Sequence, residues 1–218
     1  MNSADSLQWS SVFLEGGDAL SFAQGQFSQN IDEETRATLL LQPSGEVLSA
    51  GWIHGVAEEI EYVIPSPLVE STVQRIQRFL LRVDVSLRVN DSHSGPFATV
   101  AELFDSEWPG VEELRRNLPP HSFGASFVAA SVSFAKGCFT GQELVGRADA
   151  RGATMPWRFA TGRCRDLDSL TADIQRSGPE GPQGVTSWCD GPHGVQWRAI
   201  VHRTWEPTDP GVELHFRA

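Results

Sequence analysis

The chain is almost without lysine. Lys136 is the only one, and the other 16 of the 17 basic residues are arginines. With 28 acidic residues, the formal net charge is −11. Nucleic-acid binding draws most of its affinity from phosphate neutralisation by Lys and Arg. The longest basic run here is Arg115-Arg116, so no direct nucleic-acid partner is expected. No apolar run reaches the roughly 20 residues that a membrane-spanning helix needs. The first residues, "MNSADSLQWSSVF", lack the basic start and apolar stretch of a secretory signal, so the expected location is cytoplasmic. Cysteines number three, Cys138, Cys164 and Cys189, with no CxxC spacing. An odd count without close pairs argues against a disulfide framework and against a structural metal site. The histidines (His54, His93, His121, His193, His202 and His215) are scattered, none at metal-ligand spacing, so no metal is expected. Internal repeats and low-complexity tracts are also missing.

What remains is an ordinary globular composition, 40% hydrophobic and 21% charged over 218 residues. Asp18 is a candidate N-cap for a short helix carrying Ala19, Leu20, Phe22 and Ala23, which Gly25 interrupts. "TLLLQPSGEVLSAGWIHG" reads as strand, Pro-Ser-Gly turn, strand, and residues 59–64 as a further strand. Leu68, Val69, Val73, Ile76, Phe79, Leu80 and Leu81 have the spacing of an amphipathic helix over residues 68–81. Strands are expected at 83–89 and 99–104, and a helix at 110–117, broken by "LPP". Beyond a composition shift near Arg151, short strands at 159–164, 184–187, 196–202 and 212–216 point to a small β-barrel or sandwich. The expected architecture is α+β, with one domain over residues 1–150 and a smaller β domain over 151–218.

The lone lysine sits in "SFAKGCFTGQELVGR", two residues before Cys138. Glycines on either side, Gly137 and Gly141, permit a tight turn. Thr140 and Glu143 have capping-box spacing, which predicts a helix running from there toward Arg147. A thiol beside a helix N-terminus and an ammonium group has a lowered pKa. The other reading makes Cys138 a small buried hydrophobe, carried into a core by the apolar "VAASVSF". A compact ammonium differs from a planar guanidinium in reach and geometry, which favours a specific task for Lys136. Arg147 and Arg151 lie four apart, on one helix face. They can pair with Glu143 or anchor a carboxylate ligand.

"KGCFTGQELVGRADARG" resembles the signature of the YgfZ family through Lys136, Gly137, Cys138, Gly141, Gln142, Glu143, Arg147, Arg151 and Gly152. Phe139 stands where tyrosine is usual in that family. "GGDALSFAQGQFSQNI", the 39–51 hairpin "LLLQPSGEVLSAG", "FLLRVDVSLRV" and "TSWCDGPHGVQWRAIVHR" resemble further family segments in the right order. The resemblance implies an aminomethyltransferase-like folate-binding domain carrying the motif, followed by a small C-terminal β-barrel. It implies a folate-dependent role in iron–sulfur cluster assembly or repair, and a link to tRNA modification through an iron–sulfur enzyme. The implied partners are folate and the iron–sulfur assembly machinery or client iron–sulfur enzymes. The implied cofactor is tetrahydrofolate or a derivative.

On this reading Cys138 is the reactive thiol, Lys136 stabilises its thiolate and Glu143 fixes the motif helix. Gln24, Asn117, Gln142, Arg147 and Arg151 are candidate folate contacts. Two departures separate the chain from the related aminomethyltransferases. Residues 45–50, "GEVLSA", offer no carboxylate at the end of the strand, where those enzymes carry a G-G-x-x-D-D pattern. Asn117 replaces a pterin-binding glutamate, so a charge-assisted hydrogen bond is lost. A tetrahydrofolate-dependent aminomethyltransferase is therefore the second reading, disfavoured by the missing carboxylate.

Overall fold

The computed structural model describes residues 5–106, 108–152, 154–191 and 194–216. His193 lies outside them. The elements in chain order are β1 (Trp9–Glu15), α1 (Ala19–Gln26), β2 (Arg36–Leu41), β3 (Val47–Val56), β4 (Glu59–Pro65), α2 (Val69–Gln77) and β5 (Ser86–His93). Four short helices follow: α3 (Val100–Asp105), α4 (Val111–Leu114), α5 (Ala125–Ser131) and α6 (Gln142–Ala150). The chain then forms β6 (Trp157–Cys164), α7 (Leu167–Arg176), β7 (Gly184–Gly191), β8 (Gly194–His202) and β9 (Glu213–Phe216).

The first five strands make one sheet in the order β2-β3-β4-β1-β5, antiparallel throughout. The "QPSG" tip between β2 and β3 closes with Gly45 at φ +88°, and the Gly45 N–H donates to the Gln42 carbonyl at 2.9 Å. Burial follows strand alternation: Val12 and Leu14 of β1, Ile60, Tyr62 and Ile64 of β4 and Ile53 of β3 have no more than trace exposure. These residues share a face, because a period of two puts alternate side chains on one side. Helices α1 and α2 cover this face through Ala19, Phe22, Ala23 and Ile76.

The second sheet runs β7-β8-β6-β9, also antiparallel, with β7 and β9 at its edges. Where a closed barrel was one expectation, the described residues form an open sheet. Helix α7 packs on it, with Leu170, Ile174, Trp197 and Trp205 in the core. Phe159 and Ile200 of this sheet belong instead to the core of the first one.

Three local expectations are corrected. Residues 99–104 form helix α3 and no strand. Thr99 Oγ1 accepts from Glu102 N–H at 3.2 Å while Glu102 accepts from Ala98 N–H at 2.7 Å. The Thr99 cap and the Glu102 bond to the preceding residue close the helix start, and they outweigh the β-branched start of the segment. Helix α2 ends at Gln77, short of Leu81, and the next residues leave Phe79 and Leu81 exposed. Asp18 holds the N-cap position of α1 without a capping bond from its side chain, which accepts instead from Asp84 N–H at 2.8 Å.

Candidate functional site

The motif is a loop tied down on both sides of Cys138. It enters from α5, and Ser133 N–H donates to the Ser28 carbonyl at 2.9 Å. Lys136 then turns back. Its Nζ donates to the carbonyls of Phe27 and Gln29, both at 2.8 Å. Phe27 is the C-cap of α1, so the ammonium meets carbonyl oxygens at and just beyond a helix C-terminus, where the backbone dipole favours a cation. A tetrahedral ammonium can direct separate N–H bonds to two carbonyls, which a planar guanidinium does with a different geometry. Lys136 also stands 5.6 Å from the centroid of the Phe139 ring. Burial lowers its pKa to about 8 from the ordinary 10.5. Its hydrogen bonds thus fix the loop on α1; none goes to the thiol.

Beyond Cys138, Phe139 is buried at 6% exposure, and its N–H donates to Gln142 Oε1 at 3.3 Å. Thr140 N–H donates to the Gly25 carbonyl at 3.0 Å. Gly141 takes φ +84° and serves as the N-cap of α6. A side chain there would meet the Gln42 carbonyl oxygen at 2.8 Å, so the backbones touch and only glycine fits. The capping box expected of Thr140 and Glu143 does not form. The Thr140 hydroxyl points to Gly25 and Gln26 oxygens, both at 3.5 Å, because the loop closes on α1 and not on its own helix. Glu143 accepts from Arg147 Nη2 at 2.5 Å, an exposed i,i+4 pair.

Cys138 itself is exposed, whereas Cys164 and Cys189 are buried. The apolar stretch before it forms helix α5 in its first part, and no strand carries the thiol into a core. An accessible thiol on an anchored loop can act as a nucleophile or as a soft metal ligand once deprotonated.

The side chains expected to hold a folate are hydrogen-bonded within the protein or exposed. Gln24 spends its amide on Asn30 Oδ1 at 3.2 Å and the Ile31 carbonyl at 3.0 Å, closing a turn. Gln142 and Arg147 are engaged within the motif, and Arg151 is an exposed C-cap of α6. Asn117 is exposed at φ +52° just past α4, a left-handed position that asparagine tolerates well. A cavity of about 300 Å³ opens elsewhere, with Trp9, Leu103, Trp108 and Glu113 among its walls and none of the expected site residues. At the end of the hairpin strand, Ser49 is fully buried and accepts from the Tyr62 hydroxyl at 3.2 Å, with no carboxylate in its place.

Two polar groups near the site were not legible in the sequence. Gln26, 8% exposed, takes Arg75 Nη1 at 3.2 Å on the same Oε1 that faces Thr140. Arg75 itself is 3% exposed, in a helix whose charged positions are ordinarily solvated. The flanking apolar pattern marks the helix but gives no signal that this arginine points inward.

No protein-family model matches the sequence, and no curated protein matches it either. Among solved structures the fold is similar to the glycine cleavage system aminomethyltransferase T from Bartonella henselae. That match has a TM-score of 0.62 at 10% sequence identity and covers 99% of this chain and 86% of the other. The chain thus has an aminomethyltransferase T-like fold of mixed helix and sheet. No described helix is long and apolar enough to cross a membrane.

Proposed function

We propose that this protein is a YgfZ-type factor in the assembly or repair of iron–sulfur proteins, acting through the thiol of Cys138. One observation supports this reading above others. The K-G-C-F-T-G-Q-E segment stands on an aminomethyltransferase T-like fold, with its cysteine exposed on a loop pinned by Lys136 and Gly141. Pinning keeps the thiol presented to a partner and away from the core. The thiolate is a soft ligand suited to iron, and the partners are the iron–sulfur assembly machinery or client enzymes. An effect on tRNA modification would pass through such a client, in keeping with the acidic chain. Location in the cytoplasm belongs to the same proposal. So does binding of tetrahydrofolate or a derivative, which rests on the fold and motif, with Gln24, Asn117, Gln142, Arg147 and Arg151 as candidate contacts.

The test replaces the native protein in cells by Cys138→Ala at equal abundance. Iron–sulfur enzyme activities fall if the proposal holds, and unchanged activities overturn it. Calorimetric titration of the wild-type protein with tetrahydrofolate examines the folate part separately. Aminomethyl transfer is disfavoured by the Ser49–Tyr62 arrangement where a carboxylate is needed. The purified protein is expected to form no methylenetetrahydrofolate from an aminomethylated carrier.

A further inference from the structure

Arg75 is a buried charge with no ion-pair partner among the described residues. It is 3% exposed, and its one hydrogen bond uses Nη1, toward Gln26. Nε and Nη2 are buried and meet no acceptor. No carboxylate forms an ion pair with it. Burial and the neighbouring Arg78, in that order, push its pKa below the usual arginine value. Thr72 lies one turn earlier on α2, on the same helix face by its i,i+3 spacing. It is fully buried, and its hydroxyl also has no partner. Buried polar groups are almost always hydrogen-bonded, and an unpaired buried charge is costly.

The pattern of unmet donors is specific. Nε and Nη2 form one edge of the guanidinium, the fork that accepts two oxygens of a carboxylate or phosphate side by side. The Phe79 ring stacks at 3.9 Å from Cζ, which covers a face of the group and leaves that in-plane edge unused. Phe79 is 37% exposed and lies beyond the last residue of α2, so the ring that stacks on the guanidinium itself reaches solvent.

We propose that Arg75 and Thr72 form a binding site for an oxyanion, a carboxylate or a phosphate, held bidentately by Nε and Nη2 with the Thr72 hydroxyl as a third donor. Gln26 Oε1 connects the site to Thr140, so the oxyanion binds one hydrogen-bonded residue away from the loop of Cys138. The site is independent of whether the protein serves iron–sulfur enzymes.

The experiment follows the Arg75 Nε–H signal of the ¹⁵N-labelled full chain, identified as the one missing in Arg75→Lys. Sodium phosphate, sodium glutarate and sodium chloride are titrated at equal ionic strength. A saturable downfield shift with phosphate alone assigns a phosphate group as ligand, and one with glutarate alone assigns a carboxylate. A shift with both supports the oxyanion site without ranking the two. No shift, or a shift equal to that in chloride, overturns the proposal and leaves water as the partner. A second readout is thermal unfolding. The responding anion raises the wild-type melting temperature, and Thr72→Val shrinks the effect. Arg75→Met abolishes it while remaining at least as stable in chloride, because an uncompensated charge is gone. An undiminished anion effect in Arg75→Met also overturns the proposal.

Discussion

Lys136 shows how much a single side chain can settle. Its ammonium bonds to two carbonyls around the end of α1, and its burial lowers the pKa to about 8. Between about pH 8 and 10.5 the unfolded chain binds a proton that the folded chain has released. Stability therefore rises with pH across that window, since the state with more protons loses ground. The contribution reads out as a difference between wild type and Lys136→Met in urea unfolding, because Tyr62, pushed up by burial, works the other way above its ordinary 10.0. A flat difference across the window would refute the assignment. At pH 7 the same variant orphans two carbonyls and is expected to lose about 1–3 kcal/mol. The three thiols differ as sharply. Cys164 and Cys189 are 3% and 0% exposed, and burial raises both pKa values. Iodoacetamide at neutral pH is expected to alkylate Cys138 first, as read by peptide mass mapping. Equal labelling of Cys164 would contradict the exposure pattern.

At the scale of elements, α6 contains a matched pair of glycines with opposite roles. Gly141 at its N-cap has φ +84° and touches the β2–β3 turn, while Gly146 lies mid-helix with open space where a side chain would go. Gly141→Ala is expected to cost about 1–3 kcal/mol through left-handed strain and contact with the Gln42 oxygen. Gly146→Ala is expected to add about 0.5–1 kcal/mol through helix propensity. Urea midpoints of the two variants should move in opposite directions; a shift of the same sign would remove the conformational argument. The contrast also explains what the sequence could reveal. The β2–β3 hairpin, β4 and the core-facing part of α2 were legible because their periodicity and turn residues act locally. The strand expected at 99–104 failed because the Thr99 side-chain cap outranks β-propensity over six residues. Helix α7 was overlooked just ahead of the Gly/Pro-rich stretch at 177–194, although Asp166 caps it through Asp168 and Ser169 N–H groups and Leu170 and Ile174 carry its spacing. The motif was visible as residues, but the targets of Lys136 and Thr140 lie over a hundred positions away, on α1 and the turn after it. No local pattern encodes such a contact.

On the scale of the whole molecule, the second sheet is tied to the helices before it by polar groups as well as by core. Glu113 of α4 is fully buried and accepts from Gly110 N–H at 2.6 Å, from Ser187 Oγ at 2.9 Å and from the Thr186 hydroxyl. Arg198 of β8, also fully buried, stands 3.9 Å from that carboxylate. It donates to the carbonyls of Trp108 at 3.1 Å, Ser106 at 3.4 Å and Leu103. The network thus spans the connection between α3 and α4 on one side and β7 and β8 on the other. Removing one partner of a buried ion pair costs about 3–5 kcal/mol, since the remaining charge stays desolvated. Glu113→Ala is expected in that range, because two hydroxyls and a backbone N–H also lose their acceptor. The same geometry bears on the division proposed at residues 150 and 151. Phe159 and Ile200 lie in the core of the first sheet, so melting the second sheet opens a cavity in the first. Loss of either half then exposes apolar surface on the other. Unfolding in urea is expected to be one transition, with tryptophan fluorescence and far-UV circular dichroism superimposing. Two resolved transitions would instead mark residues 1–150 and 151–218 as units that fold separately, with the Glu113 network as a docking contact between them.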